Sequence, residues 1–203
     1  MFITFEGGEG SGKSTQARLL YERLSAEGQS TVLTQEPRGT ELGLSIWELL
    51  ARGVDPLSEL LLFAANRAHH VRTLIKPALD RGDVVICDRF SDSTIAYQEF
   101  GRGLDGDFVR RACGYAEGGV TPDLTFLLDV EPALGLERKG KAVADDAISA
   151  EDRRFHEKVR AGYLALAHES PERIKILDAA AHRKQLAELI WDGVSSSLAP
   201  RPA

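Results

Sequence analysis

The sequence predicts an α/β fold in which helices cover both faces of a five-stranded parallel sheet. Five short apolar runs, at residues 2–5, 31–34, 84–87, 124–128 and 174–177, are separated by longer segments with apolar residues at helical spacing. Runs that are apolar throughout, without strict alternation, are typical of strands buried on both faces, as in a parallel sheet. Strands that alternate with helices along the chain indicate an α/β arrangement.

The helices are predicted in the segments between these strands. The first, 13–27, carries leucines on one face and is followed by Gly28, a residue type that often ends a helix. Asp55 and Pro56 are typical of a helix start, with a capping side chain before a first-turn proline, and Pro77 is expected to kink or end the helix that they open. Further helices are predicted at residues 91–100, 105–117, 152–168 and 180–196.

The length and composition favour one globular domain over residues 1–203. Of the 203 residues, 43% are hydrophobic and 28% are charged, so the chain can bury a core of its own. The polar, charged segment 138–149 is expected to be a mobile loop, and residues 197–203 are expected to be a frayed tail.

Charge and cysteine content argue against several classes of protein. The formal net charge of −6 disfavours binding of a nucleic acid polymer through phosphate neutralisation, but leaves a small anionic ligand open. Cys87 and Cys113 are too few for a disulfide scaffold and are not spaced as zinc ligands. The N-terminal residues lack a basic flank, and no apolar run reaches membrane-spanning length. The sequence therefore predicts a cytoplasmic protein without a membrane partner.

A phosphate-binding loop is predicted directly after the first strand. The segment reads Gly7, Gly8, Glu9, Gly10, Ser11, Gly12, Lys13 and Ser14, and it matches the pattern G-x-x-x-x-G-K-[ST]. Glycines let consecutive backbone N–H groups and the helix N-terminus point at an anion. Lys13 is expected to reach the outer phosphates of a nucleotide, and the Ser14 hydroxyl to bind Mg²⁺. An ordinary glycine-rich turn is the alternative, which the strand before and the helix after disfavour.

A second polar pair, Asp88 and Arg89, ends the third predicted strand. A carboxylate there lies at the ligand-binding edge of an open α/β sheet, where Asp88 could hold Mg²⁺ directly or through water. The alternatives are a capping carboxylate for Asp88 and a surface ion pair for Arg89. The chain contains neither the N-K-x-D nor the D-x-x-G string of signalling GTPases, which disfavours a switch protein.

Several strings along residues 2–166 together resemble the thymidylate kinase family. They are FEGGEGSGKST (5–15), EPRGT (36–40), LLFAANRAH (61–69), DRF (88–90), ST (93–94), AYQ (96–98), PDL (122–124), LLDV (127–130) and RAGYLAL (160–166). The resemblance implies a three-layer fold like that of the P-loop nucleoside monophosphate kinases. It also implies transfer of the γ-phosphoryl group of ATP to dTMP, with Mg²⁺, by an enzyme that forms homodimers through helices.

The resemblance assigns the residues of two substrate sites. The ATP site is implied to comprise Gly7, Gly8, Glu9, Gly10, Ser11, Gly12, Lys13, Ser14 and Thr15, and the dTMP site Glu9, Arg38, Phe63, Arg67, Arg89, Ser93, Thr94, Tyr97 and Gln98. Phe63 would stack on thymine and Arg67, one turn later, would bond the base edge. Thr94 and Gln98 would read the polar edge of the base, and Tyr97 would lie against the sugar. The alternatives are Phe63 in the core, Arg67 on the surface, and Thr94 and Gln98 on a helix surface.

The charged residues have implied roles near the phosphates. Glu9 is expected to meet the 3′-hydroxyl of dTMP or a magnesium-bound water, because a carboxylate beside an anion site is otherwise costly. Arg38 and Arg89 are expected to clasp the acceptor phosphate, and a solvated loop charge is the alternative for Arg38. The family often has Arg where this chain has Gln35 and Gly where it has Arg38, so the approach of this basic residue to the acceptor is expected to differ.

The lid also departs from the family pattern. Members whose phosphate loop lacks a basic residue, as here at Gly10, usually carry several arginines in the lid. Arg138 matches one of them, and Gly140, Ala142 and Ala147 stand where others would be expected. Lys139 and Lys141 are expected to substitute, with Arg138 and Lys141 acting on the transferring group. A solvated basic loop is the alternative for these residues.

Two other functions remain open from the sequence. A kinase for another nucleoside monophosphate, or for a deoxynucleoside, would share the donor loop but not the base pocket. A nucleotide-dependent binding module would use ATP occupancy to open or close a partner surface without phosphoryl transfer.

Overall fold

The computed structural model describes residues 1–140, 148 and 150–198, and its centre is a parallel five-stranded sheet. The strands are β1 Phe2–Glu6, β2 Thr31–Gln35, β3 Val84–Asp88, β4 Leu124–Asp129 and β5 Ile174–Asp178. Their order in the sheet is β2-β3-β1-β4-β5, and every neighbouring pair is parallel. The five predicted strands are confirmed, each within one residue at its ends.

Helices connect the strands. They are α1 Lys13–Ala26, α2 Glu41–Ala51, α3 Pro56–His70, α4 Lys76–Asp80, α5 Ser91–Thr94, α6 Gly106–Glu117, α7 Pro132–Lys139, α8 Arg153–Glu169 and α9 Arg183–Leu198. The π-helical turn Val71–Ile75 joins α3 to α4, and a second π-helical segment, Ile95–Gly101, continues α5. Helices α2 and α7 were not predicted from the sequence. Pro77 lies in the first turn of α4, so the helix continues past it after the π turn instead of ending there.

The core has three layers because neighbouring residues of each strand point to opposite faces of the sheet. On one face, Ile3 and Phe5 of β1 pack with Leu20 and Leu24 of α1, and with apolar residues of α9. On the other face, Phe2 packs with residues of α4, β3 and the first π turn, and α8 packs on β4 and β5. The helices therefore cover both faces, as predicted.

The strand order brings several loops to one edge of the sheet. All strands end at that edge, and β1 lies between β3 and β4. The register pairs Phe5 with both Asp88 and Phe126, and it pairs Gln35 with Asp88. The segments that follow β1, β2, β3 and β4 consequently meet, and the candidate site lies there.

Two further expectations concern the chain ends and membranes. Helix α9 includes residues 197 and 198, the first two of the expected tail, and residues 199–203 lie outside the described part. Within the described part of the chain, none of the helices combines the length and apolar character that a membrane span requires.

Candidate active site

The phosphate loop joins β1 to α1, and its lysine folds back onto the loop. Gly12 has a φ of 91°, a left-handed conformation open to glycine, and α1 begins at the next residue. Lys13 Nζ donates to the carbonyl oxygen of Gly8 at 2.7 Å and to Ser11 Oγ at 3.2 Å. Burial, together with the nearby Arg89 charge, lowers the pKa of Lys13 to about 8. An incoming phosphate would compete with Gly8 and Ser11 for this lysine.

The loop contacts α7 without a side chain between the two backbones. A Cβ built on Gly10 would lie 1.9 Å from the carbonyl oxygen of Gly135, and a Cβ on Gly135 would lie 2.2 Å from the carbonyl oxygen of Glu9. Neither position has space for a methyl group, so this contact requires glycine on both sides. Since α7 ends at Lys139, the contact brings its last turn to the site.

Two oxygen-bearing side chains lie together beside the loop. Ser14, in the first turn of α1, donates its hydroxyl hydrogen to Asp88 Oδ2. The other carboxylate oxygen, Asp88 Oδ1, is buried and has no hydrogen-bond partner among the described residues. A hydroxyl and a carboxylate are ligands that Mg²⁺ accepts, and an unpartnered buried carboxylate oxygen fits a cation. The two predicted metal ligands are therefore adjacent, and their binding of Mg²⁺ stays a prediction.

The Glu9 carboxylate accepts hydrogen bonds from three separate parts of the chain. Its Oε1 accepts hydrogen bonds from Arg89 at 2.9 Å and from Tyr97 at 3.1 Å, and its Oε2 accepts one from Lys139 at 2.8 Å. Burial alone would raise the pKa of Glu9, but the charges of Arg89, Lys13 and Lys139 outweigh burial and hold that pKa well below its usual range. Glu9 is therefore an anion that ties the phosphate loop to the residue after β3, to the second π segment and to α7.

Arg89 is held in an unusual backbone conformation directly after β3. Its φ is 72°, in the left-handed region that residues with a side chain rarely occupy. Arg89 Nη1 contacts the carbonyl oxygen of Gly7 at 3.3 Å, Ser93 Oγ at 3.3 Å and Tyr163 Oη at 3.4 Å. Three elements thus fix this side chain at the edge of the site.

Glu6, at the end of β1, supports the turn that contains Arg89. Its Oε1 accepts the backbone N–H of Phe90 at 2.7 Å, and its Oε2 accepts the hydroxyls of Ser93 at 2.5 Å and Tyr163 at 3.3 Å. Burial, followed by repulsion from Asp92, raises the pKa of Glu6 to about 8. Sequence reasoning missed this residue, although its position at the carboxyl end of a strand is the same signal that indicated Asp88.

Arg67 lies inside the protein, which excludes the alternative that it is a surface residue. Its side chain is 1% exposed and its Nη2 donates to Glu36 Oε2 at 2.7 Å and to Thr94 Oγ1 at 3.0 Å. His70 Nδ1 lies 3.2 Å from Glu36 Oε1, and His70 Nε2 lies 2.8 Å from Thr34 Oγ1. The sequence indicated no role for Glu36, and the structure shows that it is the anion that pairs with Arg67.

The residues expected to contact the base line a partly enclosed region. Phe63 is half-buried: it packs against the cluster formed with α8 and also lines the cavity. Thr94 and Gln98 are buried, so they are not on a helix surface. Gln98 Nε2 donates to Glu59 Oε1 at 2.7 Å, which leaves Gln98 Oε1 buried and without a partner among the described residues. An unpartnered acceptor here suits a ligand N–H group.

One cavity of about 490 Å³ connects these parts. Its lining includes most of the predicted residues, namely Glu9, Gly10, Gly12, Lys13, Ser14, Thr15, Arg38, Phe63, Arg67, Asp88, Arg89, Ser93, Thr94, Tyr97, Gln98 and Arg138. Gly7, Gly8 and Ser11 belong to the same loop but are not among the described lining residues. The lining also contains Glu36, Trp47, Phe90 and Ile148, for which the sequence had indicated no role.

The basic residues expected in the lid begin within α7. Arg138 and Lys139 form its last turn, and both line the cavity. Arg138 Nη1 donates to the carbonyl oxygen of Ala179 at 2.7 Å, whereas Lys139 bonds Glu9. Lys141, together with the positions of Ala142 and Ala147, lies outside the described residues. The described part of the predicted lid is therefore helical up to Lys139.

Comparisons with known proteins agree with one another. The family model described as thymidylate kinase matches residues 5–190. The chain is 46% identical over 198 residues to a thymidylate kinase of Deinococcus radiodurans, which covers 96% of each chain. It is 49% identical over 207 residues to a thymidylate kinase of Synechococcus sp. strain JA-3-3Ab, and that alignment covers 100% of both chains. Its structure is similar to the crystal structure of thymidylate kinase from Ehrlichia chaffeensis, with a TM-score of 0.77, 39% identity, and coverage of 96% of this chain and 97% of that one.

Proposed function

The chain belongs to the thymidylate kinase family, and from that premise we propose that its cavity transfers the γ-phosphoryl group of ATP to dTMP, giving dTDP and ADP for dTTP synthesis. The observation that carries this proposal is the meeting of a phosphate loop and a pocket lined by Phe63, Tyr97 and Gln98 in one cavity of about 490 Å³. This volume lies within the range of small-molecule sites. Two nucleotides could meet there with their phosphates end to end.

The acceptor base is bound at the far end of the cavity from the phosphate loop. The Phe63 ring stacks on thymine, and Arg67, fixed by Glu36, directs its remaining donors at the base edge. Gln98 Oε1, which is buried and unpartnered among the described residues, accepts the N3–H of thymine. Tyr97, held by its hydrogen bond to Glu9, packs against the sugar.

The acceptor phosphate and the transferring group lie among cations. Arg38 and Arg89 align the phosphate of dTMP, which carries nearly two negative charges at pH 7 and needs no strong general base. One of its oxygens attacks the γ-phosphorus, and the bond to the bridging oxygen of ADP breaks. Lys13 holds the donor phosphates, and Arg138 neutralises charge on the transferring group together with Lys141.

Ser14 and Asp88 are the residues that would hold Mg²⁺. Their oxygens are adjacent, and one carboxylate oxygen is buried without a partner among the described residues. A bound Mg²⁺ supplies charge neutralisation on the β- and γ-phosphates of ATP. Glu9 keeps its charge through Arg89 and Lys139 and accepts the 3′-hydroxyl of dTMP or a hydrogen of a water bound to the metal.

A coupled ADP-release assay with ATP and Mg²⁺ tests this function. With dTMP, dUMP, the other deoxynucleoside monophosphates and thymidine as acceptors, we expect dTMP to give the highest kcat/KM. The methyl group of thymine should favour dTMP over dUMP by about 10- to 200-fold. Lys13→Ala should abolish transfer to all acceptors. A preference for another monophosphate or for thymidine would contradict the proposal, as would ADP release that no acceptor stimulates.

The remaining properties follow as proposals from the family. We propose one domain over residues 1–203 with a lid at 138–149, a cytoplasmic location in keeping with two free, buried cysteines, and a homodimer. Exposed leucines on α2 and α3, among them Leu42, Leu49, Leu57 and Leu61, are apolar surface available for pairing. Light scattering after gel filtration would test it: a monomer at micromolar concentration contradicts the dimer.

A further inference from the structure

Arg38 is a cation in the cavity for which the described residues provide no anion. It lies in the segment after β2, it is exposed, and it makes no hydrogen bond or ion pair with any described residue. Its guanidinium carbon lies 5.2 Å from the centre of the Trp47 ring, within cation–π range. Both side chains line the cavity. The indole of Trp47 is therefore the group that holds Arg38.

The neighbouring carboxylates are engaged elsewhere. Glu36, two residues before Arg38, pairs with Arg67 at 2.7 Å. Glu9 accepts from Arg89 and Lys139, and Asp88 accepts from a hydroxyl of the phosphate loop. The charge of Arg38 is thus left for an anion that enters the cavity.

Helix α2 is built so that Trp47 reaches Arg38. The Thr40 side chain caps the helix by accepting the N–H of Gly43 at 3.0 Å. A Cβ on Gly43 would lie 1.8 Å from the carbonyl oxygen of Pro37, so only glycine lets the helix lie this close to the segment after β2. Trp47 follows Gly43 by one helical turn on the same face. The close contact at Gly43 therefore brings the indole alongside Arg38.

We propose that Trp47 is a positioning residue, which holds Arg38 where its guanidinium meets the acceptor phosphate. Stacking occupies the face of the guanidinium and leaves its N–H donors at the edge for phosphate oxygens. The inference rests on the proposed binding of dTMP at this cavity.

Steady-state kinetics of three variants test the stacking. Trp47→Leu should raise KM for dTMP by about two- to fivefold, the value of an exposed cation–π contact, and leave KM for ATP unchanged. Trp47→Phe keeps an aromatic face, so its KM for dTMP should lie between that of Trp47→Leu and that of the unmodified enzyme. The matched control is Trp191→Leu, which removes the stack of Arg23 on Trp191 at 4.1 Å on another part of the surface. This control should leave KM for dTMP unchanged.

A double-mutant cycle decides whether Trp47 acts through Arg38. Combining Trp47→Leu with Arg38→Ala should raise KM for dTMP no further than Arg38→Ala alone. Additive effects would overturn the inference, because Trp47 would then act independently of Arg38. If the unmodified enzyme showed no dTMP-dependent ADP release, the proposed function would fail instead.

Fluorescence gives a readout that does not depend on turnover or on the stability of Trp47→Leu. The chain has two tryptophans, so Trp191→Phe leaves Trp47 as the only one. Titration with dTMP should change Trp47 emission because the phosphate engages Arg38, whereas thymidine, at saturation, should change it much less. Equal changes with both ligands, or no change with dTMP, would overturn the inference.

Discussion

Replacement of Glu36 by Gln should strongly destabilise the protein, because it leaves a buried charge without its partner. Arg67 and Glu36 are 1% and 3% exposed, and their atoms are 2.7 Å apart. Arg67 Nε already lacks a hydrogen-bond partner among the described residues. Breaking a buried ion pair by removing one charge costs about 3–5 kcal/mol. Glu36→Gln keeps an acceptor oxygen, so we expect about 3 kcal/mol, equivalent to a factor of about 160 in the unfolding equilibrium.

Urea denaturation followed by circular dichroism measures this loss. The matched control is Glu188→Gln, which removes an ion pair of similar length, 2.9 Å to Arg23, whose side chains are 37% and 66% exposed. Water screens that pair, so its loss should cost only about 0–1 kcal/mol. If the two variants lost the same free energy of unfolding, the burial argument for Arg67 would be refuted.

Three further predictions concern activity. Gly135→Ala places a methyl group 2.2 Å from the carbonyl oxygen of Glu9, so α7 must move and kcat should fall by up to about a hundredfold in the coupled assay. Asp88→Asn should raise the Mg²⁺ concentration for half-maximal rate by about 10- to 100-fold, measured at saturating nucleotides. Burial lowers the pKa of Lys13 to about 8, so its ammonium is charged below that pH and neutral above it, and KM for ATP should rise roughly tenfold from pH 7 to pH 9.

Each of these predictions has a control or a contradicting result. Gly114→Ala on α6, where a Cβ would meet nothing within 4 Å, should keep full activity and gain up to about 1 kcal/mol from helix propensity. Equal kcat for Gly135→Ala and Gly114→Ala would refute the steric argument. An unchanged Mg²⁺ dependence in Asp88→Asn would remove Asp88 from the metal site. A KM for ATP that is flat across the pH range would show that Lys13 stays charged there.

The sequence predicted the sheet well because each strand is a short, mostly apolar run between polar segments, although the edge strands β2 and β5 include Thr34 and Lys175. The order of the strands could not be read from these runs, since an apolar run does not indicate which strand it pairs with. Helix α2 was missed because its exposed leucines, such as Leu42, Leu44 and Leu49, blur the one-sided pattern expected of a surface helix. Helix α7 was missed because its last turn, Arg138 and Lys139, was assigned to a polar loop.

For the candidate site, local patterns predicted where residues lie better than what they pair with. The phosphate loop and Asp88 follow from position at strand ends. The family resemblance assigned Phe63 and Gln98 to one binding site, and both line the same cavity. The roles assigned to them there stay predictions. The pairing of Arg67 with Glu36, and of Glu9 with Lys139, joins residues 31 and 130 positions apart. Such contacts depend on the tertiary arrangement and have no signature in neighbouring sequence.

The close contact between Gly10 and Gly135 also limits which residue can stand at position 10 of the phosphate loop. An arginine at position 10 would occupy the volume that the α7 backbone fills. To admit such a side chain, α7 would have to lie farther from the loop, and Arg138 and Lys139 of its last turn would move with it. With glycine at position 10, the backbone of α7 contacts the loop, and Arg138 and Lys139 of its last turn line the cavity. The absence of a side chain at Gly10 therefore determines how near the cations of α7 lie to the phosphate loop.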